Sequence, residues 1–94
     1  FIAHIGDEAK GEAIKLASKL RQAGIGTIEA LGDKSLKAQL RQANNLNVHY
    51  TIIIGEEELK TRSVILRDMN TAQQKTLAIS KLENTLKQIL NPNT

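Results

Sequence analysis

Residues 48–68 read VHYTIII-GEEELKTR-SVILRD, two apolar runs separated by a glycine and a polar stretch. The first run, residues 48–54, is typical of a strand buried on both faces of a sheet. Gly55 ends this strand, and residues 56–59 (EEEL) can form only one turn of helix. The second run predicts another strand over residues 63–69. Polar residues therefore gather where a buried strand ends, which in open α/β sheets is the edge where ligands bind.

Strand-like and helical patterns alternate before this segment. Residues 1–5 and 25–30 predict two strands, and apolar residues recur at helical spacing between them, after Asp7 as the helix N-cap. A second helix is predicted to begin near Lys34 or Ser35. Its buried stripe consists of three apolar residues at helical spacing, Leu36, Leu40 and Ala43.

Residues 73–79 predict a fifth strand, antiparallel to the fourth and, because of its low hydrophobicity, at a sheet edge. Ser80 and Glu83 have the spacing of a capping box, which predicts a final helix to about Leu90. The predicted fold is α/β with three layers, a mixed five-stranded sheet flanked by three helices. Its order is β-α-β-α-β-(short turn)-β-β-α, with the first three strands parallel and a C-terminal hairpin.

Ninety-four residues without a linker or repeat suit one domain. The sequence opens directly with a strand, so we expect residues 1–94 to be a single domain excised from a longer chain. A net charge of +3 and a pI near 9.4 weakly favour polyanionic partners. The absence of cysteine excludes disulfides and thiolate metal sites, and no apolar run reaches the roughly 20 residues of a membrane span.

One face of the second predicted helix is basic. At about 100° per residue, Lys34, Lys37 and Arg41 fall within roughly 60° of one another, and Asn45 lies on the same stripe. Such a ridge beside the buried stripe can hold the phosphates of a nucleic acid. The alternative interpretation is a solvated helix face.

Charged residues also flank the fourth predicted strand. Of the three carboxylates of residues 56–58, the first two suit the first turn of a short helix, and one of the three could accept hydrogen bonds from a base. Arg62 and Arg67 lie at the two ends of the strand, where an arginine can stack on a base or bind phosphate. For Arg67, an ion pair with Asp68 or with the acidic run is the alternative.

Signals for catalysis or metal binding are missing from the sequence. His4 and His49 have no second ligand at metal-binding spacing, so packed neutral histidines are expected and no metal site is predicted. No dinucleotide fingerprint, P-loop or nucleophile elbow occurs. We therefore predict no catalytic residue and no cofactor in this segment, and a small-ligand or nucleotide-binding domain is disfavoured.

Three stretches, taken in order, carry a family resemblance: IGDEAKGEA, AGIGTIEALGDKSLKAQLRQAN, and YTIIIGEEEL followed by VILRDM. The most specific pattern is K-S-L-K-x-Q-L-x-x-A-N before a strand that ends in Gly-Glu-x-Glu-Leu. This ordered set resembles the anticodon-binding domain of class II aminoacyl-tRNA synthetases, most of all that of the histidine enzyme.

The resemblance implies that the chain binds the anticodon loop of a histidine-accepting tRNA over its second helix and later strands. Asp33 and Lys34 would then lie near the anticodon, and Lys37 and Arg41 would follow the RNA backbone. The chain departs from the family at residues 70–72, where a glycine is common.

Likeness to the related domain of the threonine enzyme implies a base-reading role for Glu58 and a partner role for Arg67 on the next strand. Arg62 completes the set of residues expected to contact tRNA. Two of these positions depart from the family, because Arg67 stands where lysine is frequent and Arg62 where glycine is common.

The resemblance further implies a parent chain, an aminoacyl-tRNA ligase whose catalytic domain attaches histidine with ATP and Mg²⁺. That parent is expected to be a cytoplasmic homodimer with no membrane partner. The alternative function is a synthetase-derived structural, regulatory or dimerisation module without tRNA specificity.

Overall fold

The computed structural model describes residues 1–30, 32 and 34–90. The four strands of these residues form one sheet in the order β1-β2-β3-β4, with β1 and β2 parallel and the other neighbours antiparallel. The elements, in chain order, are β1 (Ile2–His4), α1 (Asp7–Gln22), α2 (Leu36–Asn45), β2 (Tyr50–Ile54), α3 (Glu56–Thr61), β3 (Ser63–Asp68), β4 (Gln74–Ala78) and α4 (Ile79–Leu90).

The predicted five-stranded sheet is wrong, because residues 25–30 do not form a strand. They run beside β1 and form a single parallel bridge, in which Ile2 pairs with Glu29. Farther along β1, the outer N–H and C=O of His4 bond to the side chain of Gln39, at 2.8 and 2.7 Å. Because these two His4 groups are already hydrogen-bonded, residues 25–30 cannot continue their pairing along β1. Residues 56–61 form a fourth helix instead of a short turn, so the prediction of three helices is also wrong.

The apolar residues divide between the two faces of the sheet because side chains alternate along each strand. One face, which we call the closed face, packs against α1 and α4. Its buried strand residues are Ile2, Ile52, Ile54, Val64 and Leu66. The other face carries a smaller cluster that includes Ala3, Ile53 and the α2 residue Ala43.

The starts of α1 and α4 differ from those predicted from the sequence. Gly6, not Asp7, is the N-cap of α1, with φ 95°, and Asp7 occupies the first turn, where its charge suits the helix dipole. Ser35 caps α2, its Oγ accepting a hydrogen bond from the Ala38 N–H at 3.2 Å. The last helix begins at Ile79, so Ser80 lies inside it and does not cap it.

Candidate nucleic-acid interface

No element of the described residues covers one half of the second sheet face. In the strand register Thr51, Arg67 and Gln74 form one row across β2, β3 and β4, and Ile53, Ile65 and Thr76 form the next. Paired residues point to the same face. Along the second row Ile53 is 3% exposed, Ile65 is half-buried and Thr76 is exposed.

Helix α2 therefore covers β1 and β2 and leaves the β3–β4 half accessible. We call this half the open face. It consists of six side chains, those of Ser63, Ile65, Arg67, Gln74, Thr76 and Ala78.

The orientation of α2 is set by Gln39, which is 1% exposed and bonds to the outer edge of β1. Lys37 and Arg41 each lie about 160° from Gln39 around the helix axis, so both point away from that edge. Both are exposed and, four residues apart, they share one side of the helix. We call these two residues the basic flank; the helix that carries them packs in the same cluster as Ile53 and Ile65, on the sheet face that includes the open face.

Arg67 belongs to the open face and is held there by its neighbour. Its Nη1 donates a hydrogen bond to Gln74 Oε1 at 2.8 Å, and its Nε is buried with no partner among the described residues. Among the residues that the structure describes, Arg67 does not form the ion pair with Asp68 that was the predicted alternative. Asp68 Oδ1 instead accepts from the Asn70 N–H at 2.8 Å, in the turn before β4.

Glu58 lies at the other end of β2, apart from Arg67. Its Oε1 accepts a hydrogen bond from the Gly55 N–H at 2.8 Å and so caps α3. A Cβ at Gly55 would lie 3.0 Å from that oxygen, so a larger residue there would require the Glu58 carboxylate to shift. Thr51, the β2 partner of Arg67, is four residues before Gly55, a separation of about 13 Å at about 3.3 Å per residue. The structure does not bring these two predicted residues together.

Arg62 lies near Glu58. It ends α3 in the left-handed conformation, with φ 51° and ψ 47°. Glu58 and Arg62 line a cavity of about 340 Å³ together with Glu12 of α1 and Ile79 of α4. They form a group at the carboxyl end of β2, separate from the basic flank.

Lys34 lies before α2, so the predicted angular match with Lys37 and Arg41 is not kept. The reason is that Ser35 is an extended N-cap, with φ −61° and ψ 158°. Lys34 is exposed and lines a cavity of about 170 Å³ beside Gly6 and Asp7. Asp33 lies outside the described residues.

Sequence reasoning missed the open-face residues Gln74 and Thr76. These residues become neighbours of Arg67 only through the register of β3 and β4, which no local pattern reveals. The capping role of Glu58 had a signal, since a glycine N-cap followed three residues later by glutamate is typical of a helix start.

In the described residues no group of three or more His, Cys, Asp or Glu side chains could hold a metal ion, and no helix could cross a membrane.

The family model of the anticodon binding domain matches residues 1–89. Histidine–tRNA ligase of Dehalococcoides mccartyi is 48% identical over 82 residues, which are 87% of this chain and 20% of the relative. The corresponding enzyme of Thermoanaerobacter pseudethanolicus is 43% identical over 95% of this chain and 21% of its own length. The chain thus spans about a fifth of the length of the curated relatives it matches.

The crystal structure of apo S. aureus histidyl-tRNA synthetase superimposes with a TM-score of 0.84 and 32% identity, covering 90% of this chain and 25% of that one. The relatives and this structure agree with the resemblance seen in the sequence, which is confirmed. The match over residues 1–89 and the identity to the histidine–tRNA ligases lead to one conclusion: the chain belongs to the anticodon-binding domain family.

Proposed function

We propose that this protein binds the anticodon loop of a histidine-accepting tRNA, as the anticodon-binding module of a histidine–tRNA ligase. The family match and the histidine–tRNA ligase relatives support the partner. The observation that carries the proposal is that α2, with Lys37 and Arg41 exposed on its outer side, packs on the same sheet face that β3 and β4 leave accessible.

The two surfaces suit the two parts of a nucleotide loop. Lys37 and Arg41 carry exposed positive charge for phosphates, contacts that position RNA without reading its sequence. The open face offers an apolar side chain at Ile65, guanidinium donors at Arg67 and a hydroxyl at Thr76. Splayed bases of a single-stranded loop are recognised by such stacking surfaces and edge hydrogen bonds.

The remaining predicted residues are proposed as the periphery of the site. Lys34, and Asp33 beside it, would contact the loop near the start of α2. Glu58 and Arg62 would contact RNA at the carboxyl end of β2. One carboxylate oxygen of Glu58 accepts from the Gly55 N–H, and the other oxygen would be the acceptor for a base.

The activity of the whole enzyme is part of the same proposal. A catalytic domain elsewhere in the parent chain would attach histidine to tRNA with ATP and Mg²⁺. The parent would be a cytoplasmic homodimer, and this module would add tRNA affinity and anticodon discrimination.

The test is a titration of the protein with tRNA carrying a histidine anticodon and with an otherwise identical tRNA whose anticodon is exchanged. We expect tighter binding of the first. Lys37→Ala and Arg41→Ala should weaken both complexes alike and lower the salt dependence, log K against log [salt], by about 1 each. Lys87→Ala, an exposed lysine of α4 paired with Glu83, is the matched control and should change neither value.

Equal binding of the two tRNAs would contradict base reading and favour the alternative module without tRNA specificity. Loss of binding in the Lys87→Ala control equal to that in Lys37→Ala would contradict the position of the phosphate contacts.

A further inference from the structure

We propose that Gln39 is a positioning residue for tRNA binding. Its buried side-chain amide takes the place of a neighbouring strand on β1 and thereby fixes the basic flank and Lys34. This inference rests on the proposed function, because it assigns how that site is held.

The Gln39 carboxamide makes three hydrogen bonds. Oε1 accepts from the His4 N–H at 2.8 Å, and Nε2 donates to the His4 carbonyl at 2.7 Å and to the Lys34 carbonyl at 2.8 Å. An amide has two donors and one acceptor oxygen, so both N–H groups are used. The Gln39 side chain is 1% exposed; its two bonds to His4 are buried, and its bond to the Lys34 carbonyl is partly buried.

The first two bonds continue a strand ladder. On the outer edge of β1, the Ile2 N–H donates to the Ile28 carbonyl at 2.8 Å, and the Ala30 N–H donates to the Ile2 carbonyl at 3.0 Å. The next outward-facing backbone groups belong to His4, two residues farther on. The Gln39 amide bonds to the His4 N–H and to its carbonyl, as a peptide group of a fifth strand would.

The third bond controls the chain that leads into α2. It holds the Lys34 carbonyl one residue before the Ser35 N-cap. Lys34 therefore has a fixed backbone position even though its side chain is exposed.

Apart from Gln39, helix α2 is held to the sheet by a small set of apolar contacts. Of its ten residues only Gln39 and Ala43 are buried, and Leu36 and Leu40 are half-buried. Apolar contacts of this kind are non-directional. The directional amide contacts of Gln39 therefore determine where Lys37 and Arg41 stand relative to the sheet.

No similar residue can replace this amide. Glutamate has no donor for the two carbonyls, asparagine is one methylene shorter, and methionine has a similar shape without the hydrogen bonds. In Gln39→Met the two His4 backbone groups would stay buried without partners and the Lys34 carbonyl would lose its bond, which favours displacement of the helix.

The experiment compares the tRNA affinity of wild type and Gln39→Met over a range of salt concentrations, with folding followed by circular dichroism. We expect about tenfold weaker binding at low salt and a salt dependence lower by about 1 to 2, as for lost phosphate contacts. Adding Lys37→Ala to Gln39→Met should cost less affinity than Lys37→Ala costs in wild type.

Val64→Ala is the matched control, since it removes buried methyl groups from the closed face and weakens the fold without touching α2. Its salt dependence should equal that of wild type. Gln39→Asn, which keeps the amide but shortens its reach, should lower the salt dependence in the same direction and gives the answer if Gln39→Met does not fold.

A folded Gln39 variant with the wild-type salt dependence would overturn the inference, provided that Lys37→Ala and Arg41→Ala still lower it. If those two alanine variants also bind tRNA like wild type, the proposed function itself is wrong. The two failures are therefore distinguishable.

Discussion

The two faces of the sheet differ in what covers them. The closed face meets α1 and α4, and its central side chains Ile2 and Val64 are both 0% exposed. Of the helices described, α2 is the one that packs on the other face, and exposure there rises from Ala3 at 0% to the exposed Thr76 on the edge strand.

This difference separates stability from recognition. Burial of aliphatic side chains on the closed face supplies the main stabilising free energy of a small domain. Polar residues on an accessible strand surface add little to that free energy but can bond to a ligand. A domain that exposes half of one sheet face depends on the other face for its fold.

The largest expected effect is on the closed face. Leu82→Ala, in α4, removes a side chain that is 1% exposed, so we expect the free energy of unfolding to fall by about 3 kcal/mol. Thr76→Ala on the open face should change it by less than about 0.5 kcal/mol. Urea unfolding measures the free energy of unfolding of both variants. Equal decreases in the two would contradict the claim that the closed face, and not the open face, stabilises the fold.

The next effect is on recognition. Arg67→Ala should reduce the free-energy difference between cognate and exchanged anticodons by about 1–3 kcal/mol, because a base edge loses its guanidinium donors. Lys75→Ala is the control in the same hairpin, since Lys75 pairs with Leu66 and points to the opposite side of the sheet. Discrimination that survives in Arg67→Ala would remove Arg67 from base reading.

A smaller effect tests the periphery. Arg62→Gly should raise the free energy of unfolding by about 1 kcal/mol, because the left-handed conformation at φ 51° is unfavourable for residues with a Cβ. If Arg62 contacts RNA, tRNA affinity should fall in the same variant. Lys60→Gly, in regular α3 helix, should instead destabilise by about 1 kcal/mol. Unchanged affinity in Arg62→Gly would exclude Arg62 from the site.

The smallest effect concerns the turn between the two open-face strands. Ala72 has φ 63°, so Ala72→Gly should stabilise the protein by about 0.5–1 kcal/mol. Ala78→Gly, in the regular strand β4, should destabilise it by a similar amount. Thermal unfolding distinguishes the two signs, and a loss of stability in Ala72→Gly would show that strain at this turn is not relieved by glycine.

Most strands and helices were predictable because their signals are local. Apolar runs identified β2 and β3, and helical spacing identified α1, α2 and α4. The failed prediction at residues 25–30 has a non-local cause, since a strand needs a backbone partner. Here Gln39, a residue of a later helix, occupies the next position on β1.

The candidate site was predictable only in part, for the same reason. Lys37 and Arg41 followed from the spacing of one helix. The separation of Glu58 from Arg67 and the alignment of Arg67 with Gln74 depend on strand register, which a single sequence does not encode locally.

The hydrogen bonds on the outer edge of β1 also affect the tendency of the domain to self-associate. An exposed strand edge can recruit a second chain and start fibre growth. On β1 the outward backbone groups of Ile2 and His4 are bonded to residues of the same molecule. Within the described residues this leaves β4 as the strand edge open to self-association. The charge of Lys75 and the short length of β4, five residues, disfavour pairing of that edge with another chain.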